Sequence, residues 1–322
     1  MRSCPLRGPL LLLTACLGCS SLAAESPVAP AAPVSPAPVP GPDLSQPWVT
    51  PAVSAPGVQR VVFRSAAVGG DVSYHVYLPP AYAAEPTRRF PVMYWLHGSG
   101  GGNTSIAPLA AQYAQAITDG LIPPVLVVMP NGLPSGMWVD DKAGRTPVES
   151  MVMRDLIPDV DARFRTRAEQ AGRLLEGFSM GGYGALRLAF AHPTRFAAVT
   201  SLAGGPLQQT FDDLALGSPA ERDRLMRDVY GNDMDYFRRV SPWVLAESFR
   251  DVPVSARAAV RVVIGDRDPM VPLHATFEAR LAALAIPHLL VKVPGVGHEA
   301  LPLMRGMADG YWAFYRRALG VP

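Results

Sequence analysis

Residues Gly177-Phe178-Ser179-Met180-Gly181 spell G-x-S-x-G directly after the apolar stretch Leu174-Leu175 and before a helix-forming segment. A serine at such a strand-to-helix turn stands exposed at its tip in a strained backbone conformation, so its neighbours must lack side chains that would clash. Gly177, Gly181, Gly182 and Gly184 meet that demand and let helix and sheet approach closely. A hydroxyl is a weak nucleophile at neutral pH. It needs a base, and the base needs a carboxylate to orient it. The chemistry implied is acyl transfer, begun by attack of Ser179 on a carbonyl carbon.

Where a serine sits on a turn of this kind, its partners follow in the order Ser, Asp or Glu, His. His192, 13 residues on, lies near the far end of the same helix, about 20 Å away at 1.5 Å per residue, which rules it out. His274 falls in a helix just after the acid and His288 opens an apolar strand, so both read as structural or surface residues. His298, in the loop Pro294-Gly295-Val296-Gly297-His298-Glu299 after the last strand, is the natural base. For the carboxylate, Asp266 and Asp268 compete within Gly265-Asp266-Arg267-Asp268-Pro269. Asp268 is preferred, three residues past the glycine where the loop turns toward the active face. Asp266 is expected to hydrogen-bond the loop or pair with Arg267, and Glu299 to be a loop or surface carboxylate.

Acyl transfer passes through an oxyanion that preorganised N–H groups must stabilise, each worth about 10² to 10³ in rate. One donor is the residue after the nucleophile, Met180; the other comes from His97-Gly98-Ser99-Gly100-Gly101-Gly102, with Ser99 first and Gly100 in reserve. His97 is expected to orient that loop by a hydrogen bond. The same loop is no dinucleotide fingerprint, because Asn103 replaces the last glycine, and no Gly-Lys-Ser/Thr follows to make a P-loop. No H-E-x-x-H or other ligand cluster occurs, so neither a metal nor a cofactor is expected.

These residues must be positioned by repeated strand and helix. Val58 to Phe63 and Val72 to Leu78 read as an antiparallel pair; Phe90 to Leu96, Val125 to Met129, Arg173 to Gly177, Phe196 to Ser201, Val260 to Ile264 and His288 to Val293 are mostly continuous apolar runs of the kind that form buried parallel strands. Ile106 to Thr118, Val148 to Phe164, Met180 to Ala191, Leu273 to Ala285 and Leu301 to Ala318 are helix-length. The order predicts an α/β fold: a mostly parallel sheet of about eight strands with helices on both faces. Residues 206–250, rich in charge and carrying Phe211, Tyr230, Tyr236, Phe237 and Trp243, form either a cap over the site or a helical excursion packed on the side.

The motifs His97-Gly98-Ser99-Gly100-Gly101, Gly177 to Leu186, His192-Pro193-Thr194-Arg195-Phe196 and Gly297-His298 resemble an esterase family of α/β-hydrolases. That family includes feruloyl and acetylxylan esterases, S-formylglutathione hydrolases and the antigen 85 mycolyltransferases. The resemblance spans roughly Val58 to Leu319 and implies an α/β-hydrolase fold with Ser179 as nucleophile, Asp268 as acid, His298 as base, and Ser99 and Met180 at the oxyanion hole. It also places Trp138 where relatives carry a substrate-contacting aromatic, the alternative being a loop aromatic that covers core. Glu176 departs from the small apolar residue usual before the elbow glycine. A carboxylate there is costly unless paired, so an arginine such as Arg187 or Arg173 is expected beside it, or else Glu176 tunes the site.

The N-terminus reads as an export signal over residues 1–24: Arg2 and Arg7, then Leu10 to Leu13, then small residues. Leu13-Thr14-Ala15-Cys16 resembles a bacterial lipobox, with cleavage before Cys16 and its lipidation; the alternative is secretory cleavage after Ala23 or Ala24. Residues 25–56 read as a Pro/Ala-rich disordered tether, and residues 57–322 as the catalytic domain. All three cysteines fall in the first 19 residues, which excludes disulfides and thiol chemistry from the folded body. The formal charge of +2 includes Arg2 and Arg7, so the mature body is neutral overall and lacks the basic excess of a nucleic-acid binder. Apart from the lipid anchor, no membrane association is expected.

The reading is a serine carboxylic-ester hydrolase outside the cytoplasm. Family and address together favour feruloyl, acetyl or other short acyl esters of polysaccharides over a glutathione thioester, which is mainly cytosolic. The alternatives are an acyltransferase that passes the acyl group to a glycan hydroxyl, and a catalytically silent binding module.

Overall fold

The computed structural model describes residues 43, 45–210 and 217–321. The segment 1–24 read as an export signal, Cys16, most of the segment read as a tether and Phe211 lie outside these residues. Eight strands form one sheet: β1 (Val58–Ser65), β2 (Gly70–Tyr77), β3 (Val92–Leu96), β4 (Leu126–Pro130), β5 (Arg173–Phe178), β6 (Ala198–Leu202), β7 (Ala259–Gly265) and β8 (His288–Val293), in the spatial order β1-β2-β4-β3-β5-β6-β7-β8. β2 is antiparallel to β1 and β4, and every later pairing is parallel. The helices before the insertion are α1 (Pro80–Ala84), α2 (Asn103–Thr118), α3 (Val148–Ser150), α4 (Ile157–Arg163) and α5 (Met180–Ala191). Those after β6 are α6 (Pro219–Asp228), α7 (Met234–Val240), α8 (Pro242–Asp251), α9 (Val271–Ala283), α10 (Ala300–Gly306) and α11 (Asp309–Ala318).

Side chains alternate across each strand, so the sheet builds two cores. On one face Val92, Tyr94 and Leu175 pack with α5, α8 and α9; on the other Met93, Trp95 and Leu174 pack with α2, α10 and α11. The helix expected over Val148 to Phe164 forms as one run in which Met151–Leu156 is wound as π-helix between α3 and α4.

Two expectations need correction. The tether reading fails for its C-terminal part, because Trp48 is buried in the core at 3% exposure. Its carbonyl accepts from the Ser73 N–H (3.0 Å) and Asn131 Nδ2 (2.9 Å), and Val53 N–H donates to His75 Nε2 (3.2 Å). Prolines suit such a strap, since they hold it extended and their carbonyls still accept: Pro47 from Asn131 and Pro51 from Asn103. The single helix expected over Leu301 to Ala318 is two helices. Ala308 adopts φ 47°, which ends the α10 turn and redirects the chain into α11.

The insertion divides the two expectations made for it. α7 and α8 pack on the side, with Phe190 and Phe249 ring centroids 4.4 Å apart and Tyr230 and Phe237 in the core. α6 alone stands at the cleft described below. Removing the Trp48 ring should leave a large cavity. Trp48→Ala is therefore expected to cost about 3–5 kcal/mol in denaturant unfolding, where a tether residue would cost nothing.

Candidate active site

The register of the parallel strands sets their C-terminal ends side by side: Leu96 opposite Gly177, Gly177 opposite Ser201, and Gly265 opposite Val293. The loops that leave those ends therefore meet, as binding loops do at the carboxyl edge of α/β sheets. Ser179 follows β5 directly, with φ 56° and ψ −119°. A Cβ on Gly177 would lie 2.1 Å from the Gly181 carbonyl oxygen, and one on Gly181 would lie 2.0 Å from that of Leu96, so neither position admits a side chain. The strained serine is held by its N–H on Leu202 O (2.9 Å) and by N–H donors from Tyr183 (3.0 Å) and Gly205 (3.3 Å) to its carbonyl.

His298 Nε2 accepts from the Ser179 hydroxyl at 2.9 Å, and its Nδ1–H donates to Asp268 Oδ2 at 2.7 Å. Asp268 is 3% exposed, and its Oδ1 accepts from the Met270 N–H at 2.9 Å. Burial alone would raise the Asp268 pKa. Its hydrogen bonds from His298 and Met270 and the nearby imidazoles outweigh that, leaving it below the usual carboxylate value and ionised. Asp266 accepts from the Gly295 N–H (2.7 Å) and so fastens the loop that carries His298. The carboxylate at the imidazole is thus Asp268. One contact the motif did not show is the Phe178 ring, 4.7 Å from the His298 ring. A second is His274, whose buried Nε2–H donates to Gly204 O (2.9 Å), with burial pushing its pKa down to about 4.

Ser99 and Met180 both line the cleft at Ser179. As the first residue of α5, Met180 has no intrahelical acceptor, and Ser99 makes no hydrogen bond among the described residues. Gly100, the reserve donor, is already committed to Pro134 O (2.8 Å). His97 orients this loop: its Nδ1–H donates to Gly98 O (2.7 Å), and its Nε2 accepts from the Gly132 N–H (3.0 Å). Burial pushes its pKa down to about 4, so the ring is neutral and its tautomer set.

The cleft encloses about 220 Å³. Met137, Met270, Ser135, Leu225, Arg222 and Arg224 line it too, none of them foreseen, since only the folded loops bring them together. Trp138 does not. It is wholly buried, its ring fills the hollow left by Gly132 and Gly184, and its indole N–H donates to His97 O (3.1 Å). It therefore supports the loop that carries Ser99 from inside. The partners expected for Glu176 are also corrected. Arg187 is bonded to Glu149 and Arg173 to Asp161, while Glu176 accepts from Tyr311 (2.5 Å) and Tyr315 of α11. Among the described residues no group of three or more His, Cys, Asp or Glu could hold a metal, and no helix is long and apolar enough to cross a membrane.

The family model described as "Putative esterase" matches residues 65–281 of this chain. The chain belongs to this esterase family. An esterase of Mycobacterium tuberculosis is 31% identical over 281 residues, which cover 80% of this chain and 59% of the relative. An endo-1,4-beta-xylanase/feruloyl esterase of Xylanibacter ruminicola is 32% identical over 157 residues, covering 46% and 22%. This esterase-family chain thus spans less than two thirds of those relatives' lengths. Among solved structures, a ferulic acid esterase superposes with a TM-score of 0.66 at 18% identity, covering 81% of this chain and 98% of its own. An S-formylglutathione hydrolase from Agrobacterium tumefaciens gives 0.66 at 18%, covering 84% and 99%. The fold is that of the α/β-hydrolase esterases.

Behind the site, Glu149 accepts from Arg187 and from His192 Nε2 (2.8 Å), and Arg187 also donates to Trp138 O (3.1 Å). Burial opposes ionisation of Glu149, but the His192 and Arg187 bonds outweigh it and bring its pKa to about 2. A carboxyl depressed on folding stabilises at pH values above its unfolded pKa and loses that contribution as pH falls toward the folded one. Glu149→Gln should thus cost about 3 kcal/mol at pH 7, and the difference from wild type should shrink between about pH 4.5 and 2 in denaturant titrations.

Proposed function

We propose that this protein is a serine carboxylic-ester hydrolase that works through an acyl-enzyme. The observation that carries the reading is the single imidazole, His298, in hydrogen-bond contact with both the strained Ser179 and the buried, ionised Asp268. As His298 takes the hydroxyl proton, Ser179 Oγ bonds to the ester carbonyl carbon and the carbonyl oxygen becomes an oxyanion, which the Ser99 and Met180 N–H groups stabilise. His298 then gives its proton to the departing alcohol as the C–O bond breaks. Water, deprotonated in turn by His298, attacks the acyl-enzyme; the acid leaves and Ser179 regains its proton. Asp268 stabilises the imidazolium in both halves without itself taking the proton.

For substrates, the reading is feruloyl, acetyl or other short acyl esters on polysaccharides outside the cytoplasm. Support comes from the feruloyl esterases among the relatives and from Arg2, Arg7, the apolar Leu10 to Leu13 and Cys16, which suit export and lipid anchoring. A second cavity of about 400 Å³ shares Ser135, Arg224 and Leu225 with the cleft. It has room for the alcohol part of a large ester or for a sugar acceptor, so acyl transfer to a glycan is the second reading. A silent binding module would have no need for three groups in catalytic contact.

The test is initial rates on acetyl, butyryl, long-chain, feruloyl and thioester substrates, with products analysed in the presence and absence of acceptor sugar. Ser179→Ala is expected to abolish turnover with the fold intact. Asp268→Asn should lower kcat by about 10⁴ while Asp266→Asn has a far smaller effect. Equal rates in wild type and Ser179→Ala would contradict the reading.

A further inference from the structure

The cleft at Ser179 has two kinds of lining. Met137, Met180, Pro206 and Met270 are apolar, while α6 contributes Glu221, Arg222, Arg224 and Leu225. The one carboxylate of the α6 lining is spent within its own helix: Glu221 Oε2 accepts from Ser218 N–H (2.7 Å) and Ser218 Oγ–H (2.9 Å), completing the N-terminal capping box. Arg222 gives one bond, to Gly217 O (3.2 Å). Among the described residues Arg224 makes no side-chain hydrogen bond or salt bridge within 4 Å, its electrostatic partner being Glu221.

That is unlike other arginines of the same insertion. Arg227 pairs with Asp228 (3.0 Å), Arg238 with Asp235 (3.1 Å) and Arg250 with Asp251 (3.1 Å). The carboxylates of the adjoining cavity are also engaged elsewhere: Asp43 by Ser45 and Gln46, Asp141 by the Thr146 N–H, and Asp228 by Arg227. Arg224, exposed, lines both cavities, and Glu221, the carboxylate whose pKa it helps to lower, is itself hydrogen-bonded to Ser218. A guanidinium presents two parallel N–H groups that match the two oxygens of a carboxylate.

Resting on the ester-hydrolase reading, we propose that Arg224, with Arg222 beside it, selects esters that carry a carboxylate, in either the acyl or the alcohol part. The apolar lining takes the hydrocarbon and the α6 arginines take the charge.

Matched pairs of esters separate the two sources of charge. On the acyl side, 4-nitrophenyl hydrogen succinate is compared with 4-nitrophenyl butyrate; on the alcohol side, 4-acetoxybenzoate is compared with its methyl ester. The readout is the anionic-to-neutral ratio of kcat/KM for the full chain, which cancels intrinsic reactivity when variants are compared. In at least one pair the ratio is expected to fall about fivefold in Arg224→Gln and further in Arg224→Glu, as for a partly exposed ion pair. It should also fall in wild type as salt is raised. Ratios unchanged by both substitutions in both pairs would overturn the proposal and leave the hydrolase reading standing. Failure of wild type to hydrolyse any of the four esters would instead remove the hydrolase reading, and this proposal with it.

Discussion

A serine held at φ 56° is the constraint on which the rest of this structure depends. A non-glycine residue in that region costs about 1–3 kcal/mol and persists only where its surroundings over-determine it. Here three backbone hydrogen bonds do so, from β6, from the first turn of α5 and from Gly205. They require β3, β5 and β6 to lie in one register, with α5 so close to β3 that Gly181 admits no Cβ against Leu96. The same register carries β7 and β8 to the next two places in the sheet. Their loops then bring Asp268 and His298 to the serine as a single hydrogen-bonded line, with His298 between the other two.

The second tier is polar and buried. Glu149 ties α3 to Arg187 on α5, Arg187 ties to Trp138, and Trp138 to His97, whose ring holds the loop of Ser99. Each member of that chain has its charge or dipole answered by the next, which is the condition under which buried polar groups can be kept. On the opposite face Glu176 is answered by two tyrosines of α11, four residues apart and thus one above the other. Arg261 lies over both rings and donates to Tyr311 O (2.8 Å). The buried carboxylate before Gly177 is therefore fastened to α11, with the guanidinium of β7 beside it.

Much of this was legible before the fold was known, because it rests on local chemistry. The apolar runs match the strands within about two residues, and His288 to Val293 is β8 end to end. Ser179, Asp268 and His298 could be chosen from their motifs because strand, turn and helix order restrict where a base and an acid can come from. What stayed hidden depends on distant partners. Composition marks Trp48 as part of a proline-rich tail, yet it lies in the core with its carbonyl bonded by Ser73 of β2, and the carbonyls of its neighbours Pro47 and Pro51 accept from Asn131 and Asn103. Trp138 sits beside Met137 in sequence, and only the glycines at 132 and 184 decide that the indole goes inward while the methionine lines the cleft. The tyrosines that meet Glu176 follow it by 135 and 139 residues, beyond the reach of any local rule.

The central claim is that Ser179 alone is activated, and that His298 activates it. Its most direct test is to treat the protein with an alkyl phosphonate ester probe and map the modified residue by peptide mass spectrometry, in wild type and in His298→Ala. The account predicts one adduct per chain, on Ser179, formed far more slowly in His298→Ala. An adduct on another residue, or equal labelling of Ser179 without the imidazole, would contradict it.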